Sequence, residues 1–291
     1  MQLMRRLVPL VALCVCLVLA SCEAISSTTG TSVTPAPTVI TTHRNAVFVQ
    51  YCIDDTGSYP RADFFLANKL VASSLQQSVA ANTDGMQLYA TLIVSNTDNP
   101  VNTLAPFVIP AIPAYPTLPT PLATPPNDNP VSYGATATAV ANQNNTGITK
   151  YNTTVAQTTA QVKAIEAQIT SDTGRLTNWN PKIDSTATSV WGCLQLARQR
   201  FTSQTGTKYL IIASDMQNNT NVDYTSDFTS SKALKGVNVH VVFYDCENSG
   251  AGACQNLQNQ WTSVFNGSGA ASVQFNDPAQ SETLGNLFGG A

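Results

Sequence analysis

Ala46-Val-Phe-Val-Gln-Tyr-Cys-Ile53 runs straight into Asp54-Asp-Thr-Gly-Ser58. The first segment is almost continuously apolar, which predicts a strand buried on both faces, as in a parallel sheet. The second is an oxygen-rich turn. Beyond it, Ala62 to Ala81 places Phe64, Phe65, Ala67, Leu70, Val71, Leu75 and Val79 at helical spacing, and Met86 to Ser95 reads as another strand. Strand, turn, helix and strand make a βαβ unit.

The same rhythm fills the last hundred residues. Val190 to Phe201 reads as a helix and Tyr209 to Ala213 as a buried strand. Asp227 to Leu234 is a short helix with Gly236 placed as its stop. Val237 to Tyr244, Leu257 to Phe265, Ala271 to Phe275 and Ser281 to Phe288 alternate as strand, helix, strand and helix. The prediction is an α/β fold, a doubly wound, mostly parallel sheet with helices on both faces. Between the two halves the rhythm breaks. Pro100 to Pro130 holds ten of the 16 prolines, which predicts extended or polyproline-like chain without sheet or helix. Asn142 to Asn145 is polar. Tyr151 to Leu176 then reads as a helix with a thin stripe (Val155, Val162, Ile165, Ile169), lying on the surface or against a partner. Together these form an insertion at about 100–175 in a domain of residues 44–291.

The N-terminus is read separately. Arg5 and Arg6 precede an apolar run from Leu7 to Leu19, and Leu19-Ala20-Ser21-Cys22 closes it. That order predicts a secretory signal peptide over 1–21. Its last four residues resemble the bacterial lipobox, which implies a lipid on Cys22 and an anchor on the extracytoplasmic face of the cell membrane. Residues 23–42, rich in Ser and Thr, read as a flexible tether.

Charged residues make up 11% of the chain and the net charge is −3. No basic run exists, which argues against nucleic acid as a partner. Of seven cysteines, Cys14 and Cys16 leave with the signal. Cys246 and Cys254 flank a loop-like stretch and are a candidate disulfide, and Cys52–Cys193 follows by elimination; two buried free thiols remain the alternative for either pair. His43 and His240 stand alone, and no Cys-x-x-Cys pair suggests zinc.

Ligands of such sheets bind at the carboxyl ends of the strands. Three polar clusters sit there: Asp54 to Ser58, Ser185 to Ser189, and Ser214-Asp215. Each alone could be a loop with a helix cap. Two carboxylates with several hydroxyls, and no imidazole or thiol, suit a hard divalent cation, Mg²⁺ or Mn²⁺.

These residues resemble the von Willebrand factor A domain, whose metal-ion-dependent adhesion site uses Asp-x-Ser-x-Ser after the first strand, a Thr in a second loop and an Asp after a later strand. Asp54, Thr56 and Ser58 match the first motif, with Thr in place of the first Ser. Thr188 matches the second, with Thr186 a weaker candidate, and Asp215 the third, with Met216 where the family has Gly. The resemblance implies one short antiparallel edge strand and a protein partner whose carboxylate completes the metal shell. Asp55 is expected to shape the turn or make an outer hydrogen bond.

Two other readings compete. Asp54-Asp-Thr-Gly-Ser58 also looks like the phosphorylation motif of haloacid-dehalogenase-like phosphotransferases. Asp54 would then be the nucleophile, Ser214 a phosphate contact, and Lys232 or Lys235 the required lysine. The third reading is a structural lipoprotein with a degenerate metal site. No Gly-x-Ser-x-Gly elbow or P-loop is present.

Overall fold

The computed structural model describes residues 46–81, 84–97, 99–124, 126, 130–181, 187–220, 223–245 and 251–288. The stretches predicted as signal peptide and tether, with Cys22, His43, Thr186 and Cys246, lie outside them. Among the described residues, 120–149 belong to one compact unit and the remainder to another.

In the larger unit, β1 (Val47–Asp54) is buried along all eight residues and pairs in parallel with β2 (Met86–Ile93) and β4 (Thr207–Ala213). β5 (Val237–Val242) and β6 (Ser272–Phe275) extend the sheet in parallel beyond β4. β3 (Phe107–Ile109) pairs antiparallel with Met86–Leu88. The order β3-β2-β1-β4-β5-β6 reverses direction at β1, so the fold is α/β with a mostly parallel, doubly wound sheet.

The period of two along β1 divides the core. Val47, Val49, Tyr51 and Ile53 face one cluster with Phe64, Ala67, Val71 and Leu75 of α1 (Arg61–Ala81). Phe48 and Cys52 face another, with α3 (Val190–Phe201), Phe228 of α4 (Thr225–Ser231) and Trp261, Val264 and Phe265 of α5 (Ala251–Gly267). Cys52 and Cys193 form a disulfide with Cα atoms 6.2 Å apart, as elimination predicted. Closing 141 residues of chain constrains the unfolded state by about 5 kcal/mol in the chain-entropy model. Cys254 is disulfide-bonded as well.

Several expectations need correction. The stretch Pro100–Pro130 is not free of sheet and helix. It contains a 3-10 turn, Pro100–Asn102, and the edge strand β3, which is the antiparallel edge the resemblance implied. Prolines 106 and 110 flank β3 without interrupting its three residues, and edge strands tolerate such neighbours. The helix predicted from Tyr151 to Leu176 is α2 (Pro130–Thr177), 48 residues long. Its Thr and Asn content reads as loop. Yet Thr138, Thr146, Thr149, Thr154, Thr159, Thr170, Thr173 and Thr177 each donate to the carbonyl four residues earlier, so the hydroxyls bond within the helix rather than compete with it. Nor is its stripe confined to the surface: Ile165, Ile169 and Leu176 join Phe107 and Ile109 in the α1-side core. Gly236 does not stop α4. Lys232 caps it at φ 51°, and Gly236 turns the chain into β5. The predicted helix Ser281–Phe288 is the shorter α6 (Pro278–Thr283), started by an Asp277 capping box, and Leu287 and Phe288 pack into the core as irregular chain. Among the described residues no helix is long and apolar enough to cross a membrane.

Candidate functional site

Asp54 ends β1, and Ser214 and Asp215 follow β4, the neighbouring parallel strand. Their loops therefore leave the sheet side by side at the point where strand order reverses, the usual ligand crevice of such sheets. Thr188 comes from the loop before α3, whose Ser189 caps the helix by accepting from the Gly192 N–H at 3.2 Å.

All five sequence-predicted ligands meet there. Asp54 Oδ1 accepts from the Thr56 N–H at 3.0 Å and from the Thr56 hydroxyl at 2.6 Å. Asp54 Oδ2 accepts from the Ser214 hydroxyl at 2.8 Å. Thr56 Oγ1 lies 3.2 Å from Ser58 Oγ and accepts from Thr188 Oγ1 at 3.2 Å. Ser58 donates to the Asp215 carboxylate, whose Oδ1 also accepts from the Gln217 N–H at 2.9 Å. Asp54, Thr56, Thr188 and Asp215 are all buried. Thr186 lies outside the described residues.

The electrostatics are those of an unbalanced anionic site. Burial pushes the Asp54 carboxyl up to about 6; the Thr56 and Ser214 hydroxyls pull it down, and Asp215 pushes it further up. Asp215 is also raised, by burial first, with Gln217 and Ser58 opposing and Asp245 adding to the rise. Among the described residues no Lys, Arg or His forms an ion pair with either carboxylate. Nor is any group of three or more His, Cys, Asp or Glu placed to hold a metal, so the site's donors are two carboxylates and hydroxyls. That donor set fits a hard cation. Thr56 donates its proton to Asp54 and so presents its oxygen as an acceptor, as it does toward Thr188.

Asp55 turns away from this cluster. It pairs with Arg61 at 2.6 Å, and Arg61 stacks 4.2 Å from the Phe64 ring centroid and donates to Pro181 O at 3.1 Å. The remaining oxygen of Asp55 and the Tyr59 hydroxyl are buried without a hydrogen-bond partner among the described residues. Met216 adopts φ 61°, a left-handed conformation that glycine takes most easily. Its side chain is buried in the α3-side core and its carbonyl accepts from Trp261 Nε1 at 2.9 Å.

Sequence reasoning missed Asn218 and Asn219. Asn219 Oδ1 accepts from the Thr188 N–H at 2.6 Å while its own N–H donates to Thr188 O at 3.2 Å. Asn218 Oδ1 accepts from the Val190 N–H at 3.1 Å. These bonds tie the second loop to the third. Two adjacent asparagines look like any turn, so the sequence carries no signal for the role. Ser214, part of the third polar cluster in the sequence, orients Asp54 rather than joining the five predicted ligands. The lysines of the phosphotransferase reading are elsewhere: Lys232 and Lys235 precede β5, at the opposite end of the sheet from Asp54, and Lys232 Nζ donates to Gly267 O at 2.8 Å.

No family model matches the chain, and no curated protein sequence does. Among solved structures, an aerotolerance-related membrane protein from Bacteroides fragilis NCTC 9343, carrying multiple mutations to serine, is 12% identical over 81% of this chain and 94% of its own, with a TM-score of 0.41. BatB from Bacteroides thetaiotaomicron, a conserved hypothetical protein, is 14% identical over 81% and 93%, with a TM-score of 0.34. Proximal thread matrix protein 1 from the mussel byssus is 11% identical over 68% of this chain and 36% of its own, also at 0.34. Superpositions this loose transfer no property to this chain.

Proposed function

We propose that this protein is a lipid-anchored, extracytoplasmic domain of the von Willebrand factor A type that binds a carboxylate-bearing protein partner through Mg²⁺ or Mn²⁺. One observation carries the reading: Asp54, Thr56, Ser58, Thr188 and Asp215, drawn from three separate loops, meet in one hydrogen-bonded cluster. The two aspartates would offset most of the ion's charge. The three hydroxyls would complete its protein shell without adding charge, leaving it electrophilic toward an incoming carboxylate. The chain's own part is to hold the oxygens: Ser214 and the Thr56 N–H orient Asp54, Gln217 orients Asp215, and Asn219 fixes the Thr188 backbone. Loops held in place before binding lose less entropy when the ligand arrives.

The test is a Mn²⁺ titration of the purified protein followed by electron paramagnetic resonance. One saturable site per chain, displaced by Mg²⁺ and lost in Asp54→Ala and Asp215→Ala, is the expected result. Acetate should then displace water from the bound ion, seen as a fall in water-proton relaxation. No saturable binding would leave the structural-lipoprotein reading in its place.

A further inference from the structure

The Cys52–Cys193 bridge lies directly beneath the oxygen cluster. Cys52 stands two residues before Asp54 on β1, and Cys193 five residues after Thr188, on the first turn of α3. The bridge thus joins the strand that delivers the first loop to the helix that begins at the second. Above it, the link between those loops is the Thr188–Thr56 hydroxyl pair at 3.2 Å. One neutral hydrogen bond is worth only about 1 kcal/mol net and does not fix a loop separation by itself.

The start of α3 is set closely in other ways too. The Thr97 hydroxyl donates to Ser189 O at 3.3 Å, and a Cβ added at Gly192 would stand 2.8 Å from Thr97 Cβ. Nothing larger than glycine fits there unless α3 or the Thr97 turn shifts. Helix position and bridge are therefore matched, and Thr188 rides on the same helix end.

We infer that Cys52–Cys193 is a positioning cross-link for the cation site, holding Thr188 at ligand distance from Asp54 and Thr56. This rests on the metal reading above. Both sulfurs are fully buried, and thiol–disulfide exchange needs access to a sulfur, so the bridge acts as a fixed clamp rather than a switch.

The test compares Mn²⁺ affinity, by electron paramagnetic resonance at low temperature, in wild type, Cys52→Ala/Cys193→Ala, Gly192→Ala and Leu234→Ala. Gly192→Ala keeps the bridge but displaces the first turn of α3 or the Thr97 turn. Leu234→Ala destabilises the far end of the fold, where Leu234 is fully buried before β5. Circular dichroism establishes that each protein is folded. The first two variants should bind Mn²⁺ about tenfold more weakly, the usual cost of losing a group that orients a ligand, and Leu234→Ala should bind as wild type does. If the double variant does not fold, Cys52→Ser/Cys193→Ser carries the same expectation. Wild-type affinity in either folded bridge variant overturns the clamp while leaving the metal reading intact. A wild type that binds no Mn²⁺ overturns both.

Discussion

The crest above β1 and β4 and the edge beside α2 treat their polar groups in opposite ways. At the edge, each donor meets an acceptor. Gln168 donates to Val108 O at 2.7 Å and Arg175 to Ala105 O at 3.1 Å, closing carbonyls beside β3 that an exposed edge would offer to another strand. Arg175 also pairs with Asp172 at 3.0 Å and lies 4.7 Å from the Phe107 ring centroid. At the crest, by contrast, acceptors face acceptors. Two carboxylates share a few hydroxyl protons, and burial above all pushes both upward, with a neighbouring carboxylate adding to each. The edge is finished by the chain itself. On the proposed reading the crest is arranged around a cation, and its buried carboxylates serve binding rather than stability.

That contrast can be broken by substitutions that act on one region and not the other. The largest effect belongs to the crest: Asp54→Ala or Asp215→Ala should weaken Mn²⁺ binding by more than about 100-fold, beyond what losing an orienting neighbour costs. Spectroscopic titration of the two variants checks it, and their fold should survive, since an uncompensated carboxylate is removed. At the edge, Phe107→Ala should cost about 3–5 kcal/mol in urea unfolding, because its ring is fully buried, with Mn²⁺ affinity unchanged. Met216→Gly acts at the crest. It relieves about 1–2 kcal/mol of left-handed backbone but forfeits about 2–5 kcal/mol of buried side chain, so calorimetry should show a net loss. Gln168→Ala should cost about 1 kcal/mol, measured the same way.

The smallest effect is a pH dependence away from both regions. Burial lowers the His240 imidazole below its ordinary value, and Gln274 only partly opposes this. The unfolded chain then takes up the proton more readily than the folded one. The stability His240 contributes is present above the unfolded pKa of about 6.5 and lost as pH falls from there toward the lowered folded value. Wild type should lose more stability than His240→Gln on acidification from neutrality, and parallel urea midpoints would count against it.

What the sequence disclosed follows the same division. β1 was legible because a short, nearly continuous apolar run bounded by a Gly-Ser turn reads as a strand covered on both sides. The meeting of Asp54, Thr56, Ser58, Thr188 and Asp215 was legible because oxygen-rich loops at one end of a parallel sheet converge. The edge was not. β3 is three residues between prolines, and only its partner β2 makes it a strand. The first half of α2 looked like loop because Thr and Asn usually draw the backbone out of helices, whereas here the hydroxyls bond back into it. Asn219 was hidden for a related reason: its role is a pair of backbone bonds to a residue 31 positions away, which no local pattern encodes.

The most direct measurement is a crystal of the protein soaked in Mn²⁺ and examined at the manganese absorption edge. The account predicts one anomalous peak within bonding reach of oxygens from Asp54, Thr56, Ser58, Thr188 and Asp215, directly or through water, with an open position facing solvent. Anomalous density elsewhere, with these five side chains still hydrogen-bonded only to one another, would contradict it.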